Sequence, residues 1–280
     1  MDTSDWTRIW NESQSGSFLE KRRRTVKEWS GFWDGESDKF LENVKKDEAY
    51  YRRIIRHLTY EGFFRPDDDV LDIACGPGTY ALLFAEGAKS VSALDISQGM
   101  LSTLMAEAKI RSLGNVTSIC SPWLNYVPER KYDLMFTALS PAIDRPEMLL
   151  KMEKASKRSC CYVTFGDERF TKLRNELWDL VIGQKREGDR FNVSIPFGLL
   201  MSMGRRPGIK FFDKKPVRDT KSVDEIISRQ AEFFKTFTDI DEEKKALIRS
   251  HVQREADNGT LDFGSPGSLV ALYWDVPEKG

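Results

Sequence analysis

The run Val70-Leu71-Asp72-Ile73-Ala74-Cys75-Gly76-Pro77-Gly78-Thr79-Tyr80-Ala81 decides how this chain is organised. Its first part is a short apolar run that reads as a buried strand over residues 70–74. Its second part sets a proline between two glycines and leads into a helical stretch over residues 79–86, stopped by Gly87. A strand that runs straight into a glycine turn and then a helix places free backbone N–H groups and the positive end of a helix dipole at the carboxyl edge of a sheet. Glycine is needed there because a side chain would hold a ligand off the backbone or forbid the backbone angles. Taken alone the turn is ambiguous, because Gly76-Pro77-Gly78-Thr79-Tyr80-Ala81 also satisfies the G-x-G-x-x-G/A fingerprint of dinucleotide-binding folds.

Working outward, short apolar runs alternate with helical stretches. Strands are predicted over residues 90–95, 116–120, 132–139 and 159–165. A helix capped by Ser97 carries Leu101, Leu104, Met105 and Ala108 at helical spacing, and another spans residues 146–155. Such a βαβ series favours a doubly wound α/β fold with a mostly parallel sheet. The alternation breaks over residues 167–206, which read as an insertion over the sheet edge. Beyond it come two late strands, over residues 209–213 and 268–276, with helices starting at the capping box Ser222-x-x-Glu225 and near Asp239 or Asp241 between them.

Two acids resolve the ambiguity of the turn. Asp72 lies inside the strand end, four positions before Gly76, where a bound pyrophosphate would be repelled and a cationic ligand would be welcomed. Asp95 ends the second strand, 23 residues after Asp72, so both carboxylates reach the same sheet edge and Asp95 is able to accept both hydroxyls of a ribose. With Ala93-Leu94-Asp95-Ile96-Ser97-Gln98-Gly99-Met100-Leu101 following, residues 68–166 resemble the class I S-adenosylmethionine-dependent methyltransferases. The resemblance implies a Rossmann-like, mostly parallel sheet with a late antiparallel strand, and S-adenosylmethionine as cofactor with S-adenosylhomocysteine as product. It also implies a site in which Asp72, Ala74, Cys75, Gly76 and Gly78 hold the methionine part, Asp95 the ribose, and Ile96 and Met100 the adenine. Two departures from the family pattern stand out. Ala74 replaces a more usual glycine, a change expected only to crowd the ligand slightly. Cys120-Ser121-Pro122-Trp123 lacks the acid that often binds the adenine amino group, leaving Ser121 or Trp123 to serve, with a core role for Trp123 equally open. Leu139 stands where the transferred methyl is expected, without the Asn or Asp and two prolines of nucleic-acid adenine methyltransferases.

Residues 1–60 hold Trp6, Trp10, Trp29 and Trp33, four of seven tryptophans, at helical spacings that suggest a cap packed by its apolar stripe, interrupted by the basic run Lys21-Arg22-Arg23-Arg24. The expected organisation is therefore a helical N-terminal cap over residues 1–60 and a methyltransferase domain over residues 61–280 carrying the insertion. Methyl transfer needs alignment and exclusion of water, so cap and insertion are expected to close the site. Trp33, Tyr50 or Tyr51 is expected to cover the methionine part, and Phe191, Phe197, Leu200 and Met201 to line the pocket of a small, partly apolar acceptor; simple helix docking is the competing role for each.

No residue is assigned as catalytic. His57 and His251 are the only histidines and have no triad-like partner in sequence; both are expected to pack, and Glu168 and Tyr51 remain candidate bases. Cys75, Cys120, Cys160 and Cys161 show no metal or redox spacing, and adjacent Cys160 and Cys161 are expected on opposite sheet faces. With 43 Lys and Arg against 44 Asp and Glu in 280 residues, no global positive field draws a nucleic acid. No signal-like opening or membrane-length apolar run is present, so a cytoplasmic location is expected. Monomer and homodimer both stay open, as do a dehydrogenase using the same turn and a non-catalytic cofactor-binding protein.

Overall fold

A computed structural model describes residues 1–14, 25–166, 172–183, 191–213, 220–235, 237–256, 260–262 and 268–277. The basic run at residues 21–24, Phe170 and Glu168 lie outside them. Strands β1 (Asp69–Ile73), β2 (Ser90–Asp95), β3 (Val116–Cys120), β4 (Tyr132–Ala138) and β5 (Ser156–Phe165) are joined by helices α4 (Ala81–Ala85), α5 (Gln98–Ile110) and α6 (Pro146–Ala155). Helices α1 (Thr3–Gln14), α2 (Val26–Lys46) and α3 (Glu48–Tyr60) precede the first strand. Helices α7 (Lys172–Ile182) and α8 (Ser194–Ser202) follow the fifth, then β6 (Gly208–Phe212), β7 (Thr220–Ser222), α9 (Val223–Lys235), α10 (Glu242–Glu255), β8 (Thr260–Asp262) and β9 (Leu269–Asp275).

The main sheet runs β3-β2-β1-β4-β5-β9-β6, with β1 to β5 paired in parallel and β9 antiparallel to both its neighbours. This is the expected doubly wound sheet with a late antiparallel strand. The classic dinucleotide order 3-2-1-4-5-6 places no reversed strand between its fifth and sixth positions. The β7–β8 ribbon and the early start of β5 at Ser156 were not expected. Along the central strands the side chains alternate between two cores. Val70, Phe136, Cys161 and Tyr273 face α3, α4 and α5, while Leu71, Met135, Cys160 and Trp274 face α1, α6 and α8. Cys160 and Cys161 therefore do lie on opposite faces, fully buried, as expected.

A third core belongs to α7, α9 and α10, through Leu177, Trp178, Phe234 and Ile248. The segment read as one insertion thus divides, α7 joining the later helices and α8 packing under the sheet beside α1. The contact with α1 is close: a Cβ at Gly198 would stand 2.3 Å from the Trp6 ring. Gly198→Ala is expected to cost roughly 1–3 kcal/mol, read as a lowered Tm together with loss of amide protection in α1. Helix α2 departs from expectation. Its buried residues among those described are Ser37 and Val44, whereas Val26 is exposed and Trp29 and Trp33 are half-buried and stack on each other. It docks on α5 by polar contacts, with Lys45 Nζ 2.7 Å from the buried Glu107, and Arg111 linking Glu107 to Glu48.

Candidate functional site

The site lies at the carboxyl edge around β1, where neighbouring connections leave β1 and β4 on opposite sides, the usual ligand crevice of such sheets. The register pairs Ile73 with Leu94 and Asp95 with Cys120, so Asp95 arrives beside the start of the glycine turn. The turn folds by three left-handed residues, Ala74 at φ +56°, Gly76 at +55° and Gly78 at +97°. A Cβ at Gly78 would also meet the Leu82 side chain at 2.8 Å. Ala74 is thus accommodated in a backbone region that disfavours side chains, at about 1–2 kcal/mol. Leu139, at the end of β4, is left-handed as well, at φ +52°, and 41% exposed. Such outliers concentrate at functional edges.

The turn is not the open anion cradle its glycines suggest. Cys75 N–H donates to the Leu94 carbonyl at 3.0 Å, Gly78 N–H to the Cys75 carbonyl at 3.1 Å, and Gly76 N–H to Asp95 Oδ2 at 2.9 Å. These three N–H groups are engaged within the protein, two on backbone carbonyls and one on the Asp95 carboxylate. Asp95 Oδ1 accepts a second N–H, from Ser97, at 2.9 Å. Burial pushes the Asp95 carboxyl above its usual range, against the backbone N–H groups of Ser97, Gly76 and Ile96, and the Asp34 charge pushes it further up.

Asp72 is the more exceptional acid. It is 2% exposed, and its Oδ2 has no hydrogen-bond partner among the described residues. Burial, then the Asp95 charge, drives its carboxyl well above the carboxylate range, with only the Ala81 N–H holding it down. An orphaned carboxyl oxygen beside a second acid is a site that a cationic ligand would satisfy, favouring the ionised form. In the same row across the sheet stands Phe136, and the Tyr80 ring packs on it with centroids 4.8 Å apart. The Tyr80 hydroxyl, also buried, is the second partnerless polar atom at the turn.

The remaining predicted residues separate into groups. Cys75 and Met100 are buried, Ile96 and Ser121 half-buried, all beside Asp95 or the turn in sequence and register. Burial pushes the Cys75 thiol well up, which leaves it a packing group rather than a nucleophile. Trp123 takes the core role that its sequence left open: it is 2% exposed in the second core, its indole N–H donates to the Met148 carbonyl at 3.2 Å, and Lys151 caps its ring. Tyr51 packs against Tyr80 on the α3 side of the sheet, with centroids 5.4 Å apart. Burial lifts its phenol to about 12, which corrects its candidacy as a base near neutral pH. Tyr50, named with it, ties α3 to the late strands by donating to the Phe212 carbonyl and accepting the Leu269 N–H.

Trp33 is half-buried in an aromatic cluster with Trp29, Phe32 and Phe40. Phe191 and Phe197 belong with the opposite core, Phe191 lying 5.1 Å from the Trp10 ring, Leu200 is fully buried and Met201 is half exposed. The sheet thus separates Trp33 and Tyr51 from Phe191, Phe197 and Met201. Trp10 donates its indole N–H to the Asp144 carbonyl, in the loop after β4, which anchors α1 and Phe191 near the carboxyl edge. His57 pairs with the Tyr273 hydroxyl at 3.0 Å and His251 with Glu176 at 3.1 Å, both packing positions away from the turn. Sequence reasoning missed Asp34. It reaches from α2 to Ser97 and Gly99, and its only sequence signal is the glycine opposite it.

Comparison with known proteins agrees with this geometry. Residues 70–159 match the family model described as "Methyltransferase domain". A protein of Haemophilus influenzae described as uncharacterised is 33% identical over 130 residues, which cover 45% of this chain; the match spans 47% of that relative, about half its length. Among solved structures, a putative methyltransferase from Bacillus halodurans C-125 superposes with TM-score 0.53 at 16% identity, covering 83% of this chain and 100% of its own. A DhpI–SAH complex superposes with TM-score 0.51 at 15% identity, covering 90% and 98%. At these identities the likeness establishes the fold.

Proposed function

We propose that the chain, whose residues 70–159 match the methyltransferase-domain model on a Rossmann-like sheet, binds S-adenosylmethionine at the Asp72–Gly78 turn and transfers its methyl group to a small, partly apolar acceptor. The observation that carries this reading is the Oδ2 of Asp72, which has no hydrogen-bond partner among the described residues, beside Asp95 in a turn where the Cys75, Gly76 and Gly78 N–H groups already have acceptors. A pyrophosphate would meet two carboxylates there; a ligand with an ammonium and a sulfonium meets partners.

Bound in this crevice, S-adenosylmethionine supplies an electrophilic methyl on a sulfonium that departs as a neutral thioether. Asp72 is assigned the ammonium of the methionine part, with the backbone of Ala74, Cys75, Gly76 and Gly78 shaping the turn around it. Beyond the backbone N–H groups it accepts, the Asp95 carboxylate, with about four lone-pair sites, keeps acceptor capacity for a ribose hydroxyl. Ile96, Met100 and Ser121 are assigned to the adenine. Tyr51 and Trp33 on one side, and Phe191, Phe197 and Met201 on the other, are assigned to exclude water and orient the acceptor. With Tyr51 pushed to about 12 and both histidines packed elsewhere, the described residues offer alignment rather than a strong base. That suits an acceptor whose nucleophile is already unprotonated, such as a thiolate or a neutral amine.

Within this reading, residues 1–60 act as a cap on a catalytic domain over residues 61–280, and the chain works in the cytoplasm. No helix among the described residues is long and apolar enough to cross a membrane. The test is a screen of small thiols, amines and phenols with S-adenosylmethionine carrying a labelled methyl group. Acceptor-dependent release of S-adenosylhomocysteine is expected; cofactor binding with no transfer to any class of acceptor argues instead for a cofactor-binding protein without activity.

A further inference from the structure

The cap helix α2 reaches the acid loop through one carboxylate oxygen. Asp34 Oδ1 accepts from the Ser97 hydroxyl at 2.6 Å and from the Gly99 N–H at 2.8 Å. Having donated its proton to Asp34, Ser97 Oγ accepts the Met100 N–H at 3.0 Å, which caps α5. The Ser97 N–H donates to Asp95 Oδ1, and Asp95 Oδ2 accepts from Gly76. An unbroken path of hydrogen bonds therefore leads from the cap helix, through the ribose acid, to the glycine turn.

The packing at this point leaves no slack. A Cβ on Gly99 would stand 2.8 Å from the Asp34 Cα and 3.0 Å from its carbonyl oxygen, so the two backbones touch. The other contacts between the helices, Asp38 with Thr103 at 3.4 Å and Lys45 with Glu107 at 2.7 Å, follow in the same chain direction. The helices consequently run parallel, and Asp34 marks the end of their contact nearest the carboxyl edge, where α5 begins directly after Asp95 and Ser97.

We propose that Asp34 is a positioning residue of the cofactor site: by fixing Ser97 and the first turn of α5 it orients Asp95, and it thereby couples docking of α2 to occupation of the ribose position. The assignment rests on the methyl-donor reading given above. It predicts that the acceptor oxygen matters more than the charge, because a single oxygen takes both hydrogen bonds. Asp34→Asn retains that oxygen and Asp34→Ala removes it.

The test titrates S-adenosylhomocysteine into wild type, Asp34→Ala and Asp34→Asn, and follows amide exchange of residues 26–46 and 97–100 with and without it. Asp34→Ala is expected to weaken binding by about tenfold, the scale of a lost hydrogen bond to a charged group, and to abolish the ligand-induced protection of α2. Asp34→Asn is expected to restore most of both. A purely structural clamp would lower α2 protection equally with and without ligand and leave affinity unchanged. That result overturns the proposal, as does equal weakening by Ala and Asn. Failure of the wild type to bind S-adenosylhomocysteine overturns the methyl-donor reading and this proposal together, whereas tight wild-type binding matched by Asp34→Ala overturns this proposal alone.

Discussion

Asp95→Ala is expected to weaken S-adenosylhomocysteine binding by roughly 100- to 1000-fold, since it removes two charge-assisted acceptors from the ribose hydroxyls. Calorimetric titration of the variant against wild type reads this directly. The structure adds a consequence that the motif alone does not carry. Asp95 accepts the N–H groups of Gly76 and Ser97, so alanine leaves both without their acceptor. The unliganded variant should therefore also lose about 1–3 kcal/mol of stability, seen as a lower urea midpoint at unchanged slope. Unchanged affinity with that same stability loss would reduce Asp95 to a scaffold of the turn.

Asp72→Asn is expected to act in opposite directions on stability and binding. The carboxyl of Asp72 is pushed well above its ordinary value by burial and by Asp95. A group whose pKa is raised on folding contributes stability that is full below its unfolded value, near 4, and that is lost as pH rises through the folded value. At neutral pH the wild type therefore bears a cost at this carboxyl, either to ionise it in the folded chain or to keep it protonated, and an asparagine, which mimics the protonated acid, does not. The unliganded variant should be more stable than wild type by about 1–3 kcal/mol at pH 7.5, with the difference closing towards pH 4. Binding should fall on the order of 100-fold, because the cationic end of the ligand loses its anionic partner. Wild-type affinity should accordingly rise with pH as Asp72 and Asp95 ionise, a dependence that Asp72→Asn flattens. Thermal melts across pH with and without ligand test both halves; a destabilised variant would mean that Asp72 is satisfied in some way other than by ligand.

Much of the fold was legible in sequence because parallel strands buried on both faces leave near-continuous apolar runs, and Gly87 and Gly114 punctuate the helices between them. Val70 to Ile73, Ser90 to Asp95 and the reversed strand ending near Asp275 were all readable this way. In the cap, the packed stripe of α1 around Trp10 was legible, whereas the docking of α2 was not. Periodicity marks Val26, Trp29 and Trp33 as a stripe, yet α2 docks by Asp34, Asp38 and Lys45, polar contacts that leave no apolar pattern. Trp123 illustrates the converse limit, since an aromatic after a third strand has the same sequence signature in a core as beside an adenine. The two acids were legible as a pair because their spacing brings them to one edge. That the Cys75, Gly76 and Gly78 N–H groups are already engaged was not, since hydrogen-bond partners such as Gly76 and Asp95 lie far apart in sequence.

The proposed function requires the acid pair to select a cation-bearing nucleoside, and side-by-side calorimetric titration of the wild-type chain with S-adenosylhomocysteine and with NAD measures that selectivity most directly. Saturable binding of one S-adenosylhomocysteine per chain, with no heat from NAD, is the predicted result. Saturable binding of NAD with none of S-adenosylhomocysteine would contradict it.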